Sequence, residues 1–160
     1  MAYGASDAGA CDEYATVAGW FSAEPHPNQN MVFCFAYRLT SKEAPWLFTV
    51  SSSAKRKVSA AELLGTIILV KAMHQSLGES QVNVRLSLKT DNMGNAFATS
   101  KARSKKWPNS ALLMELSAIQ YATGIRASVE HVKRDFNMWA DQLTHLDFTG
   151  FDMKKQWCPL

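Results

Sequence analysis

Four carboxylates stand where two kinds of element end or begin, and their types suggest one chemistry. Asp7 lies in a small-residue, strand-like segment (YGASDAGA), and Asp91 ends an alternating run (VNVRLSLKTD). Glu62 falls in the first turn expected for a long apolar helix, and Asp141 in the first turns of the last one. If the strands of Asp7 and Asp91 are neighbours, the two helix starts bring Glu62 and Asp141 to the same spot, and four acids share one cavity. Like charges at such range raise one another's pKa or demand cations. Hard divalent ions with oxygen ligands are the usual partner. Two magnesium ions about 4 Å apart activate a water and stabilise the leaving oxygen in phosphodiester hydrolysis.

Taken singly, each acid also has an ordinary reading. Ser59 and Glu62 spell the S-x-x-E of a capping box. Asp91 can cap a following helix, Asp7 can sit in a turn, and Asp141 can be a solvated helix acid.

The elements that must position these residues follow from periodicity. Tyr14 to Phe21 (YATVAGWF) and Met31 to Leu39 (MVFCFAYRL) are rich in aromatic and β-branched residues, with the turn-forming EPHPNQN between them, and read as strands. A further short strand is expected over WLFTVS. From Ser59 the pattern becomes helical and runs to Gly78 without proline, apolar on nearly all sides as a buried helix is. Gly78 is its stop. Val82, Val84, Leu86 and Leu88 alternate with polar residues, a half-buried strand leading to Asp91. A short helix is expected from about Met93 to Arg103. Asn109 or Ser110 caps another, with Leu112, Leu113, Leu116 and Ile119 on one face and Gly124 at its end. Ile125 to Val129 is a strand. Asn137 caps a last helix that turns Trp139, Leu143 and Leu146 inward. Strands and helices in this order make a mixed α/β sheet whose later strands need crossovers and run parallel. Sites in such sheets lie beyond the carboxyl ends of strands, where Asp91 sits.

Composition bounds the rest. A chain of 160 residues with 47% apolar and 11% aromatic content is one domain, 1–160, with a sizeable core. Its net charge of +3 is too small to name a polyanion partner without local clustering. Cys11, Cys34 and Cys158 are odd in number and widely spaced, which speaks against a disulfide framework or zinc site and for an intracellular, reducing location. MAYGASDAGA lacks the features of a secretory leader, and no apolar run is long enough to span a bilayer, so a soluble protein with no membrane partner is expected.

The succession SDAGACDEYATVAGWF, SAAELL, LKTDNMGNAF and VEHVKRDFNMWADQL resembles the ribonuclease H domain of retroelement and pararetrovirus reverse transcriptases, over nearly the whole chain. That resemblance implies a five-stranded mixed sheet, three antiparallel strands then two parallel, with helices on both faces. It implies that Asp7, Glu62, Asp91 and Asp141 are catalytic and bind two Mg2+ ions, with Mn2+ able to substitute, to cut the RNA strand of an RNA·DNA hybrid. It also implies a domain excised from a larger polyprotein, with a covalently linked reverse transcriptase domain as partner. Only six residues precede Asp7, which accords with excision. His131 matches the retroelement His-x-x-x-x-x-Asn-x-x-Ala-Asp arrangement and reads as structural; His145, four residues after Asp141, reads as a surface residue.

Contacts to the hybrid should be basic and partly aromatic. KARSKKWPN groups Lys101, Arg103, Lys105, Lys106 and Trp107 in one loop, where cations neutralise phosphates and the aromatic packs on a sugar or base. Lys55, Arg56 and Lys57 are a weaker candidate. Backbone near Gly9 and Asn92 is expected to read RNA 2′-hydroxyls. Two other readings remain. An integrase or transposase of similar sheet uses Asp, Asp and a late Glu, and Glu115 would then replace Glu62; a non-catalytic nucleic-acid-binding module would usually have lost a carboxylate.

Overall fold

The computed structural model describes residues 2–49, 54–78, 81–88, 107–133 and 137–158. Strands β1 (Ala2–Ala10), β2 (Ala15–Ser22) and β3 (Phe33–Leu39) form an antiparallel meander. Strands β4 (Gln81–Leu88) and β5 (Arg126–Lys133) extend it in parallel, giving the order β3-β2-β1-β4-β5. The strand that carries Asp7 is therefore the central one. The described α-helices are α1 (Pro45–Thr49), α2 (Ala54–Leu77), α3 (Asn109–Thr123) and α4 (Met138–Thr144).

Alternation along the strands decides which helix goes where. Val17, Phe21 and Phe35 point to the face covered by α2 and α3, where they join Ile67, Leu69, Val70, Met73 and Leu116. Ala18, Val32 and Cys34 point to the other face and bury Leu143 of α4 and Phe151. At Gly4 a side chain has no room: a methyl there would stand 2.5 Å from Met73 Cε and 2.6 Å from the Trp20 carbonyl oxygen. That absence lets α2 lie directly on β1. Edge strand β3 is covered by the carboxyl-terminal segment, since Trp157 N donates to the Cys34 carbonyl at 2.8 Å and Tyr37 Oη donates to the Trp157 carbonyl at 2.9 Å. No helix among the described residues is long and apolar enough to cross a membrane.

Local expectations fail at several places; the Asn109–Thr123 helix, for one, starts after Pro108 with no side-chain cap from Asn109 or Ser110. Within WLFTVS, Trp46 to Thr49 are helical and not a strand: Pro45 opens α1, the position where a missing N–H costs nothing, and Leu47 is buried. The long helix begins at Ala54 rather than Ser59, because the polar helix formers Lys55 to Lys57 extend it outside the apolar pattern. Ser59 is therefore inside α2 and not at its start; its Oγ accepts from Asn109 Nδ2 at 3.0 Å and ties α3 to α2. Leu146 lies past α4, exposed, at φ 56°. Gly78 and Gly124 do stop their helices, at φ 64° and 73°, where glycine alone is unstrained. The helix expected from about Met93 lies outside the described residues.

Candidate active site at the carboxyl end of β1

Small residues bring α2 and β1 together with opposite directions. Met73 meets Gly4, a methyl on Gly65 would stand 3.7 Å from Ser6 Cβ and 3.9 Å from the Asp7 carbonyl oxygen, and Ala60 and Ala61 cluster with Ala8. Glu62 is one turn before Gly65 and shares its helix face. It stands in the third turn of α2, not the first, and is 4% exposed. Its carbonyl accepts from Thr66 Oγ1 at 3.1 Å.

Asp7 is 2% exposed and sits directly opposite Ala18, so it projects to the face that α4 covers. Its Oδ1 accepts from the Ala8 N–H at 2.9 Å. Leu86 of β4 is level with Ser6, so β4 ends, at Leu88, beside the Asp7 end of β1. Asp91 lies outside the described residues.

The third described acid, Asp141, is half-buried on α4. Trp139 packs edge-on against Trp20, with centroids 5.1 Å apart, and Leu143 is fully buried. At its amino end the helix is fixed by Asn137, whose Nδ2 donates to the Ser6 carbonyl at 3.1 Å. The Asp141 N–H donates to the Asn137 carbonyl at 3.0 Å. Asn137 was expected to cap the helix with its side chain. It makes no cap bond and reaches across to β1 instead. Nothing local in the sequence signals this contact, which spans most of the chain.

Three acids thus stand on three elements that meet around Ser6 and Asp7. Among the described residues no three His, Cys, Asp or Glu side chains stand close enough to hold a metal ion, so the shared four-acid cavity is not present there. Its fourth member lies outside them. Buried polar and charged side chains are few in the described part of the molecule, and Ser6, Asp7, Glu62, Thr66 and Asn137 all belong to this junction.

Other expected site residues divide. Gly9 lies on β1 opposite Thr16, and a methyl on it would meet nothing within 4 Å, so the backbone there borders open space. Trp107 is 55% exposed. Asn92, Lys101, Arg103, Lys105 and Lys106 lie outside the described residues. Lys57 is engaged within the protein: its Nζ donates to the Cys11 carbonyl at 3.0 Å and lies 4.6 Å from the Phe48 ring centroid. Glu115 is on α3 with its side chain 56% exposed and Oε1 3.8 Å from Lys71 Nζ. His131 lies in β5 and His145 at the exposed carboxyl end of α4.

The fold has counterparts among solved structures. Ribonuclease H1 from the halophilic archaeon Halobacterium salinarum NRC-1 aligns over 92% of this chain and 96% of its own, with TM-score 0.63 and 14% identity. This is the ribonuclease H fold. The amino-terminal ribonuclease H domain of a Mycobacterium tuberculosis protein aligns over 91% of each chain, with TM-score 0.61 and 19% identity. LC11 ribonuclease H1, solved in complex with an RNA/DNA hybrid, aligns over 89% of this chain and 93% of its own, with TM-score 0.62 and 15% identity. No protein-family model matches the sequence, and a search among curated proteins returns no match.

Proposed function

We propose that the protein is a metal-dependent endoribonuclease that hydrolyses the RNA strand of RNA·DNA hybrids. The observation that carries this reading is the burial of two carboxylates, Asp7 at 2% and Glu62 at 4% exposure, where three acid-bearing elements of a ribonuclease H fold meet. Burying an ionised carboxylate is costly unless it is paired, hydrogen-bonded or bound to a metal. Two of them at one junction is an arrangement that function explains better than stability does.

The donor set fits magnesium or manganese, since all four acids offer hard oxygen ligands. Asp7, Glu62, Asp91 and Asp141 would hold two ions. Bound there, such ions supply an activated water and stabilise the charge on the leaving oxygen. The protein's own residues orient and select. Apolar packing around Ala8, Ala60 and Ala61 excludes solvent behind Asp7 and Glu62. The open backbone beside Gly9, with Asn92, approaches RNA 2′-hydroxyls, and Lys101, Arg103, Lys105, Lys106 and Trp107 hold the phosphates and a sugar or base. LC11 ribonuclease H1 in its hybrid complex supports the choice of substrate class.

A place within a reverse transcriptase polyprotein, with a linked polymerase domain and an intracellular site of action, rests on the sequence motifs alone. The integrase-type alternative loses its acid: it needs Glu115 at the site, and Glu115 is an exposed partner of Lys71. Incubating the protein with an end-labelled RNA·DNA hybrid, duplex RNA and duplex DNA, each with magnesium or chelator, tests the proposal. Cutting of the hybrid's RNA strand alone, and only with metal, is expected. Cleavage or joining of duplex DNA would reject it.

A further inference from the structure

Asp141 rides on the least self-sufficient element near the junction. Helix α4 has 7 residues, too few to persist without tertiary support. Its body packs through Trp139 and Leu143, and Gln142 ties it to the segment before β3, its Oε1 accepting from Gln29 Nε2 at 3.2 Å. At its start the Asn137 Nδ2 bond to the Ser6 carbonyl gives a directional contact to β1. Ser6 is the residue before Asp7, and Asn137 is one helical turn before Asp141. The bond therefore ties together the two backbones that carry these acids. Ser6 is also the last residue of β1 in register with β4, so the side chain takes over where the ladder stops. Asn137 is 2% exposed, and its Oδ1 has no hydrogen-bond partner among the described residues. An amide buried with half its capacity unused is a poor choice for stability. Its position is a better reason for it.

We infer that Asn137 is a positioning residue whose amide, bonded to the Ser6 carbonyl, sets the separation of Asp7 and Asp141 and so their joint affinity for metal. This rests on the nuclease reading. The group acts through the backbone of its neighbours and touches neither substrate nor metal.

The test compares Asn137→Ala and Asn137→Gln with Leu143→Val, which loosens the packing of the same helix and leaves the clamp intact. Each protein is melted in chelator and in magnesium, and its hybrid cleavage is titrated with magnesium. Asn137→Gln keeps the amide on a longer stem, so it remains informative if the alanine variant does not fold. Supporting groups around metal ligands typically change metal affinity by about 10- to 100-fold when removed. The Asn137 variants should need that much more magnesium for half-maximal cleavage, with KM for the hybrid unchanged, and should gain less melting temperature from magnesium than wild type. Leu143→Val should melt lower in chelator yet keep the wild-type magnesium response. Equal magnesium responses in the Asn137 variants and Leu143→Val overturn the inference. A wild type that neither cuts the hybrid nor responds to magnesium in the melt rejects the nuclease reading first, and the clamp's purpose with it.

Discussion

Exchanging Glu62 for glutamine, with Glu115→Gln beside it, separates the proposed site from its rival within one helix pair. The structure bounds the Glu115 effect. Its partner Lys71 is 3.8 Å away, and the two side chains are 56% and 47% exposed. At that distance in water-like surroundings the attraction is about 1 kcal/mol. Ordering two long side chains takes much of it back, leaving roughly 0–1 kcal/mol. In a domain of this size that is a melting shift of no more than about 2–4 °C. Cleavage should not change.

Glu62→Gln is expected to show the opposite pattern. Glutamine fills the same volume in a position that is 4% exposed, and it removes a negative charge from the end of β1 where Asp7 is also buried. Melting in chelator should therefore match or exceed that of wild type. Bound metal contributes several kcal/mol of transition-state stabilisation; loss of about 3 kcal/mol of it is a drop of roughly 10²-fold in rate. Initial rates on a labelled hybrid in magnesium, with melts of the same preparations in chelator, measure both effects. A Glu62→Gln enzyme that cuts at the wild-type rate, or a Glu115→Gln enzyme that does not, would refute the assignment.

Three further outcomes are expected. Asp91→Asn should melt in chelator at or above wild type and gain much less from magnesium; a loss of about 0.5–2 kcal/mol with or without metal would make Asp91 a helix cap instead. Charge reversal of Lys105 and Lys106 to Glu should weaken hybrid binding and flatten its dependence on salt, because each phosphate contact releases counterions, and an unchanged slope in filter binding would remove that loop from the interface. Burial, reinforced by Asp152, pushes the Cys34 thiol up to about 11, so at pH 8 iodoacetamide should modify the exposed Cys11 and Cys158 and spare Cys34 until the protein is denatured. Because that thiol titrates above its unfolded value, Cys34 favours the folded state below about pH 9 and loses that preference as pH rises toward 11. Mass spectrometry reporting three modified cysteines in the native protein would contradict the packing of β3.

What the sequence made legible was what local pattern encodes. Alternation in β2, β3 and β4 and the glycine stops at Gly78 and Gly124 were readable because period and φ are properties of a few adjacent residues. The WLFTVS error shows where that limit lies, since aromatic content suits a strand or a buried helix and only the packing of Leu47 chose between them. Ser59 was misread because a helix start is visible when polarity changes there, and Lys55 to Lys57 carry polar residues through it. The acids themselves were picked out by type and by position near element ends. Their tether was not: the Asn137 bond joins residues at opposite ends of the chain, and no local rule distinguishes it from a helix cap.

The distribution of buried polarity bears on function more strongly than overall resemblance at 14–19% identity does. A fold of this kind needs only apolar faces on a twisted sheet, and Phe21, Phe35, Leu69, Val70 and Met73 supply one on the α2 side. Nothing in that requirement places an acid in the central strand. Yet Asp7 occupies the strand with neighbours on both sides, and Glu62 the helix that crosses it, at the level of the small residues Ala8, Ala60, Ala61 and Gly65. If stability alone had shaped this junction, apolar residues of the same size would serve, since a buried carboxylate adds nothing that the packing of the sheet requires and is costly to ionise unless it is paired or hydrogen-bonded. The junction keeps what stability would discard. Its acids are therefore expected to be the part of the molecule that tolerates isosteric amides in folding and does not tolerate them in catalysis.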